Sequence, residues 1–275
     1  MSTMKACGRE RVYSILALAS ILAFSHCISQ TATELRPDFQ KYFDEYKVEG
    51  CFVLYNMRQD KYILYNEKER DRPFIPASTF KICNSLIGVE TGVIPDERFV
   101  LKWDGIVRWR PEWNQDHDMR AAFRNSTVWY YQELARRVGG QRMKFWLDKA
   151  AYGNSDTSGG IDRFWLSGGL RISPQEQIDF LRRLYSGTLP FSQRTTEIVK
   201  RVMIMEDTLG HTLRAKTGLS DQEGMSVGWY VGYLESTENV YFFASCIHCE
   251  DKNNPDFVRG RVEAARKILR VLKVL

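Results

Sequence analysis

Apolar residues along this chain follow three patterns: one short unbroken run near the start, two regions of strand-like runs further on, and helical spacing between those two regions. Cys51 to Met57 and Tyr62 to Asn66 are rich in β-branched and aromatic residues, and the polar Arg58-Gln59-Asp60-Lys61 between them predicts a hairpin. A helix is expected from about Ser78 to Glu90, stopping at Thr91-Gly92. Tyr130 to Val138, Gln141 to Ala151, Pro174 to Tyr185 and Gln193 to Met205 each carry helical apolar spacing. Ser173 before Pro174 reads as an N-cap followed by proline at the first helical position. Strands resume at His211 to Lys216, Ser226 to Glu235 and Val240 to Cys249. Asp256 to Leu272 closes the series as a helix with Val258, Val262, Ala265, Ile268, Leu269 and Leu272 on its apolar side. This order predicts an α+β fold in which the first and last strands share one antiparallel sheet flanked by helices. The region of about 95–208 is then a helical insertion beside that sheet, with a cleft between the two as the expected place for a site.

The first apolar run changes the picture of the N-terminus. Lys5, Arg9 and Arg11 precede Ile15 to Phe24, a run too short to span a bilayer but of the length of a signal-peptide core. Residues 1–30 are therefore expected to be a leader cleaved between about Ser25 and Thr31, with 31–275 as the working domain. His26 before Cys27 fits a lipobox poorly, so release into the periplasm is expected rather than lipid anchoring, and no stable membrane span is expected. The net charge of +5 comes without a long basic run, because Lys and Arg are interleaved with Asp and Glu, and this argues against a nucleic-acid surface. Cys246-Ile247-His248-Cys249 lies on a strand, where alternate side chains face opposite ways, and four clustered ligands are lacking; buried structural thiols are expected. Beyond the leader, His117, His211 and His248 have no paired spacing for zinc, so no metal is expected.

The candidate chemistry starts at Ser78-Thr79-Phe80-Lys81, which puts a hydroxyl and an amine one helical turn apart on one face. A serine needs a base to become a nucleophile, and a lysine serves only when it is neutral or modified. The pattern recurs at Ser2-Thr3-Met4-Lys5 in the expected leader, so alone it decides little. Three further segments come after it. Ser126-Thr127-Val128 is by itself an ordinary helix N-cap, Tyr152-Gly153-Asn154 a helix end with a C-cap glycine, and Lys216-Thr217-Gly218 a strand end before the loop Leu219 to Gly224.

Taken in order, these segments resemble the class D, oxacillinase-type, serine β-lactamases. Ser-x-x-Lys and Lys-Thr-Gly are shared with class A enzymes and penicillin-binding proteins, whereas Ser126-Thr127-Val128 stands where class A has Ser-Asp-Asn. The resemblance runs from about Cys51 to Leu269: Trp229 to Tyr233 is similar to the aromatic strand after Lys-Thr-Gly, and Trp165-Leu166 with Ser167 to Ser173 is similar to the omega-loop region. It implies the serine β-lactamase and penicillin-binding-protein fold, and hydrolysis of a small-molecule β-lactam through an acyl-enzyme on Ser78. It also implies a CO2-derived carbamate on Lys81 as base, held by the Trp165 indole, with Ser126 relaying a proton to the leaving nitrogen. The N–H groups of Ser78 and Leu219 would form the oxyanion hole, and Lys216, Thr217 and Arg261 would hold the substrate carboxylate. No other cofactor is implied.

Three rival readings share parts of this pattern. Gly224-Met225-Ser226-Val227-Gly228 matches the nucleophile elbow, but a strand rather than a helix is expected after it. A penicillin-binding DD-peptidase, or a β-lactam sensor joined to transmembrane segments, would share the acylating residues but turn over slowly; Trp165 argues for hydrolysis. Trp103, Trp109 and Trp113 are expected to fill core.

Overall fold

The computed structural model describes residues 1–3 and 31–275, and most of the expected leader therefore lies outside the described residues. Thr31–Leu275 forms one compact unit. Its strands are β1 (Ala32–Leu35), β2 (Glu49–Asn56), β3 (Lys61–Tyr65), β4 (Ile204–Asp207), β5 (His211–Gln222), β6 (Met225–Ser236) and β7 (Val240–Cys249). Its helices are α1 (Gln40–Asp44), α2 (Lys81–Glu90), α3 (Met119–Arg124), α4 (Val128–Val138), α5 (Gly140–Ala150), α6 (Pro174–Ser186), α7 (Gln193–Val202) and α8 (Phe257–Val271).

All seven strands form one sheet in the order β1-β3-β2-β7-β6-β5-β4. The expected meeting of first and last strands occurs where β2 runs antiparallel to β7, with Val53 opposite Ala244. The sheet is not wholly antiparallel: β1, too short and polar to stand out in the sequence, joins the edge parallel to β3.

Both faces of the central strands are covered, so they read as nearly continuous apolar runs while their side chains still alternate. In β2, Cys51, Val53 and Tyr55 enter the larger core, beneath the helices between α2 and α7, whereas Phe52 and Leu54 enter the smaller one. In β6, Val227, Trp229, Val231 and Tyr233 face the larger core, and Tyr230 and Leu234 face the smaller. The smaller core is closed by Phe39 on the 3-10 turn before α1, Phe43 on α1, and Ala264, Ala265, Ile268 and Leu269 on α8.

The expected helix ends are largely where local chemistry put them. Ser173 accepts from the Glu176 N–H while Glu176 reaches back to the Ser173 N–H, a reciprocal capping box that starts α6 at Pro174. Three expectations need correction. The helix expected from Ser78 begins as a 3-10 turn over Ala77–Phe80 before α2. The tail of the helix expected to reach Met205 leaves α7 and becomes β4, because Ile204–Asp207 finds backbone partners on β5. The strand expected to stop at Lys216 continues to Gln222, paired throughout with β6, and the hairpin turns at Glu223 and Gly224, both with positive φ.

Cys51, Cys83 and Cys246 are buried free thiols, but Cys249, at the end of β7, is only half-buried. His248 makes a buried pair with Glu69, Nε2 to Oε1 at 2.8 Å. Among the described residues, no group of His, Cys, Asp and Glu is placed to hold a metal, and no helix is long and apolar enough to cross a membrane.

Phe243 is fully buried between β7 and the elements that close the smaller core. Phe243→Ala is expected to cost about 3–5 kcal/mol and to lower the urea midpoint accordingly; a cost under about 1 kcal/mol would mean that this face is not tightly packed.

Candidate active site

Ser78 sits on the short 3-10 turn that leads into α2, between the sheet and the helical layer. The segment before it is pinned to the sheet from both sides of one residue. The Ile75 N–H donates to Gln222 Oε1 at 2.7 Å, and the Ile75 carbonyl accepts from Trp229 Nε1 at 2.9 Å. Ala77 has a φ of 50°, a left-handed conformation unusual for a residue with a side chain. Gly218 explains how β5 comes so close: a Cβ there would lie 2.9 Å from the Pro76 carbonyl oxygen and 3.1 Å from Trp229 Cβ. Lys216-Thr217-Gly218 is thus a mid-strand segment against which the serine turn docks.

Lys81, the first residue of α2, is fully buried. Its Nζ donates to Ser78 Oγ at 2.6 Å and reaches Ser126 Oγ at 3.2 Å. Burial drives its pKa well below the usual lysine range, and the positive charges of Lys216 and Arg110 add to the effect. Ser126 is not the N-cap; that position is Thr127. Ser126 itself adopts a φ of 54°, in a turn closed by Thr127 N–H to the Ala122 carbonyl at 2.8 Å, and this geometry brings its hydroxyl to Lys81. Trp113 braces the same turn: its indole donates to the Asn125 carbonyl at 2.9 Å, and its own carbonyl accepts from Trp129 Nε1 at 2.7 Å.

Behind Lys81, Phe80 packs on Phe164 and Trp165 at centroid distances of 5.1 and 5.2 Å. Trp165 is fully buried and its Nε1 has no hydrogen-bond partner. Its loop is held at two places. Ser220 Oγ on β5 donates to the Leu166 carbonyl at 2.5 Å. Asn154 donates to the Gly169 carbonyl and accepts from the Arg171 N–H, both at 2.9 Å. Gly153 is not the cap of α5, a place taken by Ala151; at a φ of 52°, it lets the chain approach the Arg171 carbonyl, which a Cβ would meet at 2.0 Å.

Ser78, Ser126, Thr217, Leu219 and Arg261 line one cavity of about 330 Å³. Arg261, on α8, donates through Nη1 to the Gly218 carbonyl at 3.0 Å, which brings a guanidinium to the end of the serine cleft. Lys216 is nearly fully buried beside it, with its amine 3.2 Å from the Thr217 carbonyl. Burial first, then the Arg261 and Arg110 charges, push its pKa down to about 7. Of the residues singled out in the sequence, Ser78, Ser126, Thr217, Leu219 and Arg261 line this cavity; Lys81 reaches the hydroxyls of Ser78 and Ser126, Lys216 precedes Thr217 on β5, and Trp165 packs on Phe80, the residue before Lys81. The same cavity contains Trp109, Arg110, Glu112, Trp113, Arg124 and Asn125, none of which stands out in the sequence as a site residue. Trp109 is 80% exposed at its rim rather than core, Trp113 is both buried and cavity-lining, and Trp103 is half-buried. Ser226 of the elbow-like pattern lies inside β6, bonded to Asp221, with no helix after it.

Residues 50–270 match the family model of the penicillin-binding-protein transpeptidase domain. The chain is 39% identical over 95% of its length, and 99% of the relative's, to β-lactamase OXA-48 of Klebsiella pneumoniae. A crystal structure of a class D β-lactamase from Nostoc superposes with a TM-score of 0.83, at 44% identity over 87% of this chain and all of that one. The chain belongs to the class D β-lactamase family. It is also 37% identical over 86% of its length to the regulatory protein BlaR1 of Bacillus licheniformis, of which it covers 41%.

Lys216, in this class D β-lactamase fold, reports its own burial through pH. An unfolded lysine titrates near 10.5 and the folded Lys216 at about 7. Between those values the unfolded chain holds the extra proton, so the penalty is full below about 7 and stability rises with pH across the window. Lys216→Met is expected to flatten the rise of the urea midpoint between about pH 7 and 10 relative to the unsubstituted protein; parallel profiles would mean that the amine is not desolvated.

Proposed function

We propose that this chain hydrolyses the β-lactam ring of penicillin-type antibiotics through an acyl-enzyme on Ser78, and so confers resistance to them. The observation that carries this reading is the fully buried Lys81 amine, 2.6 Å from Ser78 Oγ and driven towards its neutral form. A neutral amine at that place is a proton acceptor for the serine. Ser78 Oγ attacks the lactam carbonyl, its proton leaves towards Lys81, and the ring C–N bond breaks to give an ester. The N–H groups of Ser78 and Leu219 stabilise the developing oxyanion, and Ser126, 3.2 Å from Lys81, passes a proton to the departing nitrogen. Lys216, Thr217 and Arg261 hold the substrate carboxylate, Arg261 through its planar fork. Water then attacks the ester and yields a proton towards Lys81, which passes it to Ser78 Oγ as the ester C–O bond breaks and the ring-opened acid leaves.

The surroundings of Lys81 also fit a carbamate formed from CO2. A neutral amine is the form that reacts with CO2, releasing a proton, and the buried Trp165 N–H is a donor without an acceptor. Such a carbamate supplies an anionic general base where a bare amine supplies a neutral one. We also infer that the chain works after export: Lys5, Arg9 and Arg11 before the apolar Ile15 to Phe24 are the pattern of a leader, with the periplasm as destination.

A sensor is the second reading, favoured by the similarity to BlaR1. Turnover separates the two. The protein without its leader is expected to hydrolyse a chromogenic cephalosporin, and Ser78→Ala to lower the rate at least about a thousandfold. Stoichiometric acylation with no turnover would favour the sensor. Trp165→Ala is expected to slow deacylation more than acylation, so that the adduct accumulates by mass spectrometry. Bicarbonate is expected to restore activity to protein prepared free of CO2; indifference to bicarbonate would remove the carbamate from the mechanism.

A further inference from the structure

We infer that Gln222 and Ser220, near the end of β5, are positioning residues for separate half-reactions: Gln222 sets the turn of Ser78 for acylation, and Ser220 sets the Trp165 loop for deacylation. The inference rests on the β-lactam reading of the site and extends it to side chains outside the cavity lining.

Strand geometry puts the two side chains on one face. Residues two apart on a strand point to the same side of the sheet, and Asp221 between them points to the other. Across β6, Ser220 lies opposite Val227 and Gln222 opposite Met225. Val227 belongs to the larger core and Met225 packs against it, the same core that holds Phe80 and Trp165.

Each side chain then holds backbone rather than substrate. Gln222 Oε1 accepts from the Ile75 N–H at 2.7 Å. Ile75 is 1% exposed, so without that oxygen its N–H would be buried unpaired. The bond sits between a fixed point and a strained one: Phe74 is bridged to Ile172, and Ala77 is held at a φ of 50°. A left-handed alanine persists only while its surroundings over-determine it. Ser78 follows Ala77 directly, so relaxation there moves the nucleophile relative to the Lys81 amine, 2.6 Å from its Oγ. Acylation depends on that placement.

Ser220 Oγ donates to the Leu166 carbonyl at 2.5 Å, one residue past Trp165. Two other side-chain anchors of this loop lie towards its ends: Gln132 donates to the Asp162 carbonyl at 3.1 Å and Asn154 to the Gly169 carbonyl at 2.9 Å. Ser220 is therefore the tie from the sheet beside Trp165, whose indole packs on Phe80, next to Lys81. Trp165 serves deacylation in the proposed reaction, so a displaced loop slows that step.

The test uses the protein without its leader and a chromogenic cephalosporin. In an acyl-enzyme reaction kcat/KM reports the steps up to acylation, and the decay of the acyl-enzyme, followed by mass spectrometry, reports deacylation. Gln222→Met keeps the length of the side chain without its carbonyl and is expected to lower kcat/KM roughly 10-fold while the decay is retained. Gln222→Glu keeps an acceptor and is expected to recover most of the loss. Ser220→Ala is expected to slow the decay about 3- to 10-fold, the range for one lost hydrogen bond, with kcat/KM retained. Ser220→Thr keeps the donor and is expected to deacylate normally. Ser226→Ala removes a hydroxyl of the same hairpin, bonded to Asp221, and is expected to change neither constant. Equal slowing of both steps in Gln222→Met and Ser220→Ala, or a loss in Ser226→Ala as deep as theirs, would reduce the two side chains to hairpin packing and overturn the assignment. Unchanged constants in either variant, or a Gln222→Glu as slow as Gln222→Met, would overturn it too. Acylation without turnover by the unsubstituted protein would instead overturn the reading on which it rests.

Discussion

A lysine amine sealed from water beside a serine hydroxyl is the constraint around which this structure is arranged. A buried ammonium is costly to keep, so burial pushes the amine towards its neutral form where solvent would have left a cation. The seal is made by side chains far apart in sequence: Phe80 on Lys81's own turn, Tyr131 on α4, and Phe164 with Trp165 on the loop before α6. Accommodating the amine carries visible costs. Ala77 and Ser126 are held in left-handed conformations worth about 1–3 kcal/mol each. The Trp165 N–H is buried without a partner at about 1–3 kcal/mol. Similar strain and unpaired atoms occur elsewhere in the fold, but these three lie beside the amine or the side chains packed on it.

The sheet makes those costs bearable. Its central strands are buried on both faces, so the serine turn is docked on a wall that cannot yield locally. Trp229 shows the coupling well: its ring fills the larger core while its N–H fixes the Ile75 carbonyl, three residues before Ser78. From the same wall, Gln222 holds the Ile75 N–H and Ser220 holds the Trp165 loop, so the last third of β5 ties together the approach to Ser78 and the loop packed behind Lys81.

That last third is also where the sequence is hardest to read. β6 and β7 are legible because both faces are apolar, and α6 because its capping box is written in Ser173, Pro174 and Glu176. β5 beyond Lys216 is not, since Ser220, Asp221 and Gln222 carry no apolar alternation, and backbone pairing with β6 alone makes them a strand. β4 is hidden for a similar reason: helical spacing runs on to Met205, and only the partner strand decides otherwise. Of the site, Ser78, Lys81, Ser126 and Thr217 can be named because each stands in a recognisable short pattern, and Arg261 only by its place in the last helix. Arg110 and Arg124 cannot, because neither they nor the irregular segment that carries Arg110 show any pattern. Trp109 misleads because tryptophan is usually buried, whereas here an arginine covers one face of an exposed ring.

The depth of each basic side chain sorts them by charge. Lys81 is innermost and Lys216 next to it; both are buried amines, and both are pushed towards neutrality. Arg261 and Arg110 are half-buried, and Arg124 is exposed. A lysine can shed its proton when desolvated, but a guanidinium keeps its charge even when burial lowers its pKa, as it does for Arg261. The positive field is therefore carried by the arginines at the mouth and floor of the cleft, and it suppresses protonation of the lysines behind them. That field adds to burial in pushing the Lys81 amine towards its neutral form. Exchanging the roles, with lysines outside and an arginine within, would lose both effects, because an arginine could not become the base.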